Sequence, residues 1–358
     1  MSALAAESAD FIRSPSASES DFNRCALSLF AFQHEFNAAY RRLCYSQGRG
    51  GAKVGHWSEI PAAPATAFKA LELTVLPAEE RIAVFHSSGT TGQAPSRHFH
   101  SPESLAVYEA SLLAWIEPHL RLAAPATLRL VFLTPPAVHA PRSSLVHMFE
   151  TIRHAHPGQR AAFLGEVAPD GTWGLRLDEL VVALDEPGPV ALFGTAFNFV
   201  HLLDHLAALG RSLALAPGSR ILETGGYKGR SRALPKEELH SSLSSRLGVP
   251  PGDIITEYGM SELSSQAYDS AIDPCTTHRG PRRFQFPPWA RVQIISPETG
   301  REVSDGEPGL VRVFDLANIA SVLSVQTEDL AIRRGEGFEL LGRAPVAEAR
   351  GCSLMASS

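Results

Sequence analysis

The stretch RIAVFHSSGTTGQAPSRHFH, residues 81–100, joins a strand-like run to a loop rich in serine, threonine and glycine. Residues 87–92 hold two serines, two threonines and two glycines. Such a run cannot build a core, but it offers backbone N–H groups and hydroxyls with little side-chain bulk, which suits phosphate binding. It is not a Walker A loop, because no GK[ST] follows Gly92. A flexible surface loop has the same composition, so both interpretations stay open at this point.

Hydrophobic strands alternate with amphipathic helices along most of the chain. The strand-like segments include LRLVFLT (128–134), PVALFGT (189–195), RILET (220–224) and GDIITEYG (252–259). A helix is predicted over 101–120, with Ser101 as its cap and Pro102 at the favoured first position. This alternation predicts an α/β fold with largely parallel sheets.

The two ends of the chain show different patterns. We expect residues 1–20, rich in alanine and serine, to be flexible. A helix beginning near Ser20 or Asp21 is predicted by apolar residues that share one face, namely Phe22, Leu29, Phe36 and Leu43. After about residue 285 the pattern changes to short strands and turns. We therefore predict a flexible N-terminus (1–20), a core domain (21–285), a β-rich subdomain (286–343) and a tail (344–358).

Composition excludes several classes of protein. The chain has 358 residues and a net charge of -6 without a long basic run, which argues against general binding to nucleic acid or an anionic membrane. No signal peptide and no apolar run of transmembrane length is recognisable. The four cysteines are widely spaced, with Cys25 and Cys44 expected to face the core. These features predict a cytoplasmic protein with reduced thiols.

A histidine metal site is an alternative use of the first stretch. His98 and His100 alternate, so they would lie on one face of a strand, and His86 precedes the loop. No carboxylate or cysteine nearby completes a metal site of ordinary composition.

Three further segments carry polar residues at strand ends, where open α/β sheets bind their ligands. They are ILETGGYKGR (221–230), IITEYGMSELSSQ (254–266) and QTEDLAIRRGEGFELLGR (326–343). Together they offer an aromatic ring, two carboxylates and a cation from Tyr258, Glu262, Asp329 and Arg343. From the residues alone, Tyr258 could equally be a core aromatic and the others solvated surface charges.

SSGTTG, YGMSE, TEDLA and GFELLGR, in this order, resemble motifs of the adenylate-forming superfamily of acyl-CoA synthetases and luciferases. FHSSGTTGQAPSRH, LTPPAVHAPRSSLVHM, ETGGYKGR, YGMSELSSQ and GRAPVAEARGCSL resemble, within it, the LuxE-like acyl-protein synthetases. The resemblance covers roughly residues 55 to 354, and the ordered set is far more specific than any one motif.

The resemblance implies a large N-terminal adenylate-forming α/β domain and a small β-rich subdomain. Fifteen residues follow Arg343, and the last lysine is Lys236, so we expect the C-terminal lid domain of the superfamily to be absent or truncated. It also implies ATP and Mg²⁺ as cofactors, and a fatty or other carboxylic acid that is activated as its acyl-adenylate.

The resemblance assigns roles to individual residues. The loop would hold the β- and γ-phosphates through Ser87, Ser88, Gly89, Thr90, Thr91 and Gly92. Among these residues, Thr90 would have a catalytic role. In the family this loop often ends in a lysine, and in this chain Arg97 is the nearest cation to that position. The adenine would be bracketed by Tyr258 and Gly259 and by Gly225 and Gly226. Glu262 would bind the metal, Asp329 the ribose hydroxyls, and Arg343 would take a catalytic place beside ribose and phosphate.

Cys352 is the acceptor thiol that the resemblance implies, because acyl-protein synthetases carry a C-terminal acylated cysteine. A thiolate attacks a mixed anhydride readily, and Arg350 could lower the pKa of this thiol. Cys275 is a weaker candidate. An acyl-reductase protein partner would then remove the acyl group. Two alternatives remain: a ligase that delivers to coenzyme A or a carrier protein, and a non-catalytic nucleotide- or acyl-binding subunit.

Overall fold

The computed structural model describes residues 1–14, 18–48, 54–87, 94–225, 234–272 and 279–344. Its helices are α1 (Ser2–Arg13), α2 (Glu19–Phe36), α3 (Ala38–Ser46), α4 (Ala67–Ala70), α5 (Pro102–Leu120), α6 (Ser144–Ala155), α7 (Leu177–Asp185), α8 (Ala196–Ala208) and α9 (Lys236–Leu247). Its strands are β1 (Ala63–Pro64), β2 (Ala83–His86), β3 (Arg97–His100), β4 (Arg129–Phe132), β5 (Ala161–Phe163), β6 (Gly165–Val167), β7 (Trp173–Leu175), β8 (Val190–Thr195), β9 (Arg220–Thr224), β10 (Ile254–Tyr258), β11 (Ala267–Ile272), β12 (Arg279–Gln285), β13 (Ala290–Ile295), β14 (Pro308–Asp315), β15 (Ser324–Arg334) and β16 (Gly337–Arg343).

One mixed sheet runs through the molecule in the order β13-β14-β15-β16-β12-β11-β10-β9-β8-β4-β5, and β1 pairs with β15. In this order, the neighbouring strands β5, β4, β8, β9 and β10 run parallel to one another. Each further pair of neighbours, from β10 through β11, β12, β16, β15 and β14 to β13, is antiparallel. This confirms the α/β class. The strands after residue 285 are antiparallel, but they continue the same sheet edge to edge, and the proposed domain boundaries stay a prediction.

The parallel half is buried on both faces, because helices cover each side. β4 is buried at every position, and β8 at all but its last, which is typical of parallel strands. One face packs against α1, α2, α5 and α6 through residues such as Phe11, Leu112 and Phe132. The other packs against α7, α8 and α9.

Two expectations about the N-terminal region are wrong. Residues 2–13 are not frayed: they form α1, whose Phe11 and Ile12 are buried. The predicted helix does not run on to Leu43, because α2 ends at Phe36 and Asn37 caps α3 by accepting a hydrogen bond from the Tyr40 N–H.

Other local expectations are confirmed. Ser101 caps α5, with Pro102 in the first turn. Cys25 and Cys44 are buried free thiols, and burial raises the pKa of each to about 11. Within the described ranges, no helix has both the length and the apolarity that a membrane span requires.

Candidate functional site

Two parallel strands end side by side in the middle of the sheet. Thr224 of β9 is in register with Glu257 of β10, so Gly225 and Tyr258 follow at the same edge. Gly225 has a φ of +50°, a conformation that glycine adopts without strain. This edge lies at the carboxyl ends of the parallel strands, where the sequence predicted a ligand site.

Tyr258, Asp329 and Arg343 come together at this edge. The Tyr258 hydroxyl donates a hydrogen bond to Asp329 Oδ2 over 2.8 Å. Asp329 of β15 is in register with Arg343 of β16, and Arg343 Nε lies 3.8 Å from Asp329 Oδ1. Burial raises the pKa of Asp329, while the Tyr258 hydroxyl and the Arg343 charge oppose that rise. An ionised Asp329 therefore depends on both neighbours.

The surroundings of these three side chains show which of them are core residues and which are exposed to solvent, a question that the sequence left open. The Tyr258 ring packs 5.4 Å from the Phe338 ring and 6.0 Å from the Phe284 ring, so it is a core aromatic whose hydroxyl reaches the site. The Asp329 side chain is 22% exposed, whereas that of Arg343 is 76% exposed. Arg343 is thus placed to meet a ligand arriving from solvent.

Glu262 lies in the segment that follows β10, and it is buried. Burial raises the pKa of its carboxyl, and the Ser96 hydroxyl and the charges of Arg343 and Lys69 oppose that rise. Groups from three distant parts of the chain therefore influence its pKa: Ser96 after the Ser/Thr/Gly loop, Lys69 of α4 and Arg343 of β16. It is not a solvated surface charge.

The oxygen atoms at Glu262 are of the type that binds Mg²⁺. A carboxylate with a hydroxyl beside it supplies hard oxygen ligands, and Mg²⁺ is commonly held by one or two protein carboxylates together with substrate phosphates. Across the ranges that the structure describes, no group of three or more His, Cys, Asp or Glu side chains could hold a metal by itself. Glu262 would thus hold Mg²⁺ jointly with a phosphate ligand.

The Ser/Thr/Gly loop joins β2 to β3, which form an antiparallel pair with His86 opposite Arg97. Ser87 and Ser96 close its base, because the Ser96 N–H donates to the Ser87 hydroxyl over 3.0 Å. Ser87 is the one predicted loop residue among those described. The following predicted residues lie outside the described ranges: Ser88, Gly89, Thr90, Thr91, Gly92, Gly226, Cys275, Arg350 and Cys352.

The histidine alternative is not supported among the described residues. His98 and His100 share the buried face of β3, as predicted, but His98 Nε2 lies 2.9 Å from Asn318 Oδ1 and His100 Nδ1 lies 3.3 Å from the Ser104 hydroxyl. Burial lowers the pKa of His98 to about 4, and the hydrogen bond that His98 makes to Asn318 Oδ1 opposes this fall. Arg97 pairs with Glu72 at 2.9 Å.

Sequence reasoning missed one titratable residue next to the site. Glu257 is buried directly before Tyr258, and the Thr224 hydroxyl donates a hydrogen bond to its carboxyl. Burial raises the pKa of Glu257 to about 7, with the Glu223 charge adding to the rise and Thr224 opposing it. Its Oε1 occupies the place that a Cβ would take at Gly259. The TEYG sequence contained Glu257, but no spacing pattern marked it.

This fold is shared with adenylate-forming ligases. A 2-hydroxyisobutyryl-CoA ligase in an open conformation superposes with a TM-score of 0.65 at 14% identity, over 90% of this chain and 70% of that one. A luciferase-like enzyme from the mealworm Zophobas morio superposes with a TM-score of 0.50 at 14% identity, over 83% and 65% of the two chains. The ATP-bound RpMatB-BxBclM chimera B1 has a TM-score of 0.50 at 16% identity, and the chain spans about half of it, 49%. At these identities the likeness establishes the fold class.

The family follows from the sequence. Residues 170–358, more than half of the chain, match the family described as acyl-protein synthetase, LuxE, so the chain belongs to that family. It is 21% identical to the long-chain-fatty-acid–luciferin-component ligase of Vibrio harveyi, over 94% of this chain and 87% of that one. It is 22% identical to the ligase of the same name from Aliivibrio fischeri, over 91% and 85%. The enzyme class expected from the sequence, an acyl-protein synthetase, is confirmed.

Proposed function

We propose that the protein activates a carboxylic acid with ATP and passes the acyl group to a cysteine thiol. The observation that carries the proposal is the junction of Tyr258, Asp329 and Arg343 at the carboxyl edge of the parallel strands, with the buried Glu262 carboxyl within the electrostatic reach of Arg343. The ATP-bound state of one structural neighbour and the names of the two ligases support the choice of ATP and of an acid. A long-chain fatty acid is the first substrate to test.

In the first step, a carboxylate oxygen attacks the α-phosphorus of ATP. The new O–P bond forms as the bond to the bridging oxygen breaks, and pyrophosphate leaves with its electron pair. Two anions must approach each other, so charge neutralisation and positioning supply most of the rate. Arg343 would place its guanidinium beside ribose and α-phosphate, and Asp329 would accept from the ribose hydroxyls. Mg²⁺ held at Glu262 would neutralise phosphate charge.

The loop would complete the nucleotide site. Residues Ser87 to Gly92, with Thr90 central among them, would surround the β- and γ-phosphates with N–H groups and hydroxyls. Gly225, Gly226 and Gly259 would leave room for the adenine beside Tyr258. Gly225 supports this placement, because it follows β9 directly beside the end of β10.

In the second step, a thiolate attacks the acyl carbon of the adenylate, the thioester C–S bond forms, and AMP leaves. Cys352 is the proposed acceptor, and an acyl-reductase protein is the proposed recipient of the acyl group. The tail that carries Cys352 lies within the residues matched to the family, which supports this assignment.

The first test is ATP–pyrophosphate exchange with a series of fatty acids. Acid-dependent exchange is expected from the wild type and is expected to fall at least about a hundredfold in Asp329→Asn, because the ribose contact and its ionised state are lost. Glu298→Gln, which changes an exposed carboxylate, is the matched control. Absence of exchange with any acid would favour a non-catalytic binding subunit.

The acceptor is tested by single-turnover labelling with MgATP and radiolabelled acid. Hydroxylamine-labile label on the wild type, lost in Cys352→Ser and kept in Cys44→Ser, would support self-acylation. Acyl-adenylate formed without protein label would instead move the acceptor to coenzyme A or a carrier protein.

A further inference from the structure

The connection between β14 and β15, residues 316–323, is buried throughout, and its Asn318 contacts the segment that carries Glu262. We propose that Asn318 in this connection is a positioning residue, whose side-chain amide fixes Glu262 relative to β3 and thereby to the closed loop base formed by Ser87 and Ser96. The inference rests on the proposed function, since it concerns where the proposed metal-binding carboxylate lies relative to the Ser87–Ser96 base of the proposed phosphate-binding loop.

Two hydrogen bonds place the amide between the two elements. Asn318 Nδ2 donates to the backbone oxygen of Glu262 over 2.9 Å, and Asn318 Oδ1 lies 2.9 Å from His98 Nε2. The orientation of the amide is unambiguous, because a carbonyl oxygen can only accept. Oδ1 must therefore face His98, which in turn donates its Nε2–H.

His98 joins this contact to the loop. It is the second residue of β3 and stands two positions after Ser96, whose N–H closes the base of the loop on Ser87. With its pKa lowered to about 4 by burial, the ring is neutral near pH 7, so it carries one N–H to donate. The path from Glu262 to the loop base thus runs through one amide and one imidazole.

The connection is itself anchored on two sides. Gln33 of α2 holds it by two hydrogen bonds: Gln33 Nε2 donates to the backbone oxygen of Asn318 over 2.8 Å, and the Leu323 N–H donates to Gln33 Oε1 over 2.7 Å. At its start, Asp315 accepts from the N–H groups of Ser264 and Ser265 over 2.9 and 2.8 Å. The segment just after Glu262 is therefore clamped, and Asn318 acts from a fixed base.

Such a link matters because a metal ligand must keep a fixed distance from the phosphate groups that bind the same metal ion. Removing a partner that orients a metal ligand commonly weakens metal affinity or activity by about 10–100-fold. Asn318 touches no reacting atom, so its effect would pass through Glu262 and β3. A change at Asn318 is therefore expected to alter metal dependence in the folded protein, which a purely structural role would leave unchanged.

The test compares Asn318→Asp with Ser321→Ala as the matched control. Asn318→Asp keeps an acceptor for His98 but puts an oxygen opposite the Glu262 carbonyl. Ser321→Ala removes a buried hydrogen bond of 2.7 Å to the Leu73 oxygen in the same connection, away from Glu262. Binding of Mn²⁺ is followed by electron paramagnetic resonance with a non-hydrolysable ATP analogue, and exchange is measured against Mg²⁺ concentration.

Asn318→Asp is expected to weaken Mn²⁺ binding, and to raise the half-saturating Mg²⁺ concentration, by about tenfold or more, with Ser321→Ala near wild type. A second pair covers the case in which Asn318→Asp does not fold: His98→Leu should show the same shift in part, and His98→Gln, whose amide can donate to Oδ1, should restore it. The inference is overturned if Asn318→Asp and Ser321→Ala show equal metal dependence, or if the two His98 variants do. The proposed function still stands in that case, provided that the wild type catalyses ATP–pyrophosphate exchange. A wild type without exchange and without nucleotide-dependent Mn²⁺ binding overturns both.

Discussion

The hydroxyl of Tyr258 donates a 2.8 Å hydrogen bond to Asp329, although 71 positions separate the two residues along the chain. This contact joins the end of the parallel half of the sheet, β10, to a strand of the antiparallel half, β15. A proposed adenine-binding ring and a proposed ribose-binding carboxylate are thereby held in one fixed relation. The contact also offers a direct way to perturb the site without disturbing the core packing of the Tyr258 ring.

Tyr258→Phe should lower kcat/KM for ATP by about tenfold, because Asp329 loses its donor and its carboxylate becomes harder to ionise in a buried position. The Phe ring keeps its contacts with Phe338 and Phe284, so Tm should fall by only a few degrees. Steady-state exchange kinetics and thermal denaturation measure both effects. Tyr45→Phe, at a side chain that is 60% exposed, serves as control. Equal kcat/KM in the two variants would remove Tyr258 from the nucleotide site.

Glu257 should make stability depend on pH. Its pKa is about 7 in the folded protein against an ordinary 4.5, because burial disfavours the carboxylate. A raised folded pKa means that the contribution to stability is complete below about pH 4.5 and is lost as pH rises through 7. Glu257→Gln cannot ionise, so its free energy of unfolding should rise relative to that of the wild type by on the order of 1–3 kcal/mol between pH 5 and pH 8.

Urea denaturation of both proteins across this pH range measures the effect. The charged group on the strand beside Glu257 is Glu223, and the buried hydroxyls of Tyr108 and Tyr268 lie within its electrostatic reach. Glu298→Gln, at an exposed carboxylate, should follow the wild type at every pH. A constant difference between Glu257→Gln and wild type from pH 5 to pH 8 would contradict the raised pKa.

The sequence predicted the parts of the candidate site that carry a chemical signature. Motif order points to Tyr258, Asp329, Arg343 and Glu262. β10 ends at Tyr258 and β16 at Arg343, whereas Asp329 lies inside β15 and joins them through its register with Arg343 and the hydrogen bond from Tyr258. The contacts of Asn318 could not be predicted from the sequence, because an asparagine in an apolar stretch has no periodic signature. Its two partners lie at sequence separations of 56 and 220.

The N-terminal region shows the other limit. Its alanine- and serine-rich composition indicated a frayed end, but Phe11 and Ile12 turn residues 2–13 into a packed helix, because tertiary burial outweighs local composition. The break at Asn37 was missed for a related reason. The apolar spacing continues across it, while the asparagine side chain prefers to cap the next helix.

Asp315→Asn tests how firmly the segment after Glu262 is held. The buried carboxylate accepts from the Ser264 and Ser265 N–H groups, the Ser265 hydroxyl and the Ala317 N–H. An amide of the same shape points N–H groups at N–H donors, so we expect a loss of about 2–4 kcal/mol in the free energy of unfolding. Denaturant titration measures it, with the 74% exposed Asp10 changed to Asn as control. A loss below about 1 kcal/mol would show that the clamp is weak.

Gly259→Ala tests the close approach of Glu257 to the end of β10. The place of the new Cβ is occupied by Glu257 Oε1, and Glu257 Cδ lies 3.2 Å from it. The carboxyl must therefore move away from its position beside Thr224. We expect Gly259→Ala to cost about 1–3 kcal/mol of stability in the wild-type background.

The same substitution should cost much less once the obstructing carboxyl is gone. In a Glu257→Ala background, the Cβ at position 259 meets mainly Gln266 Cγ, at 3.4 Å, which is close to ordinary contact. A double-mutant cycle of Gly259→Ala with Glu257→Ala should thus give a coupling energy of about 1 kcal/mol or more, with the double mutant more stable than the sum of the single changes. Additive losses would mean that Glu257 does not fill this space in solution, and the assignment of a raised pKa to a carboxyl buried against Gly259 would lose its structural basis.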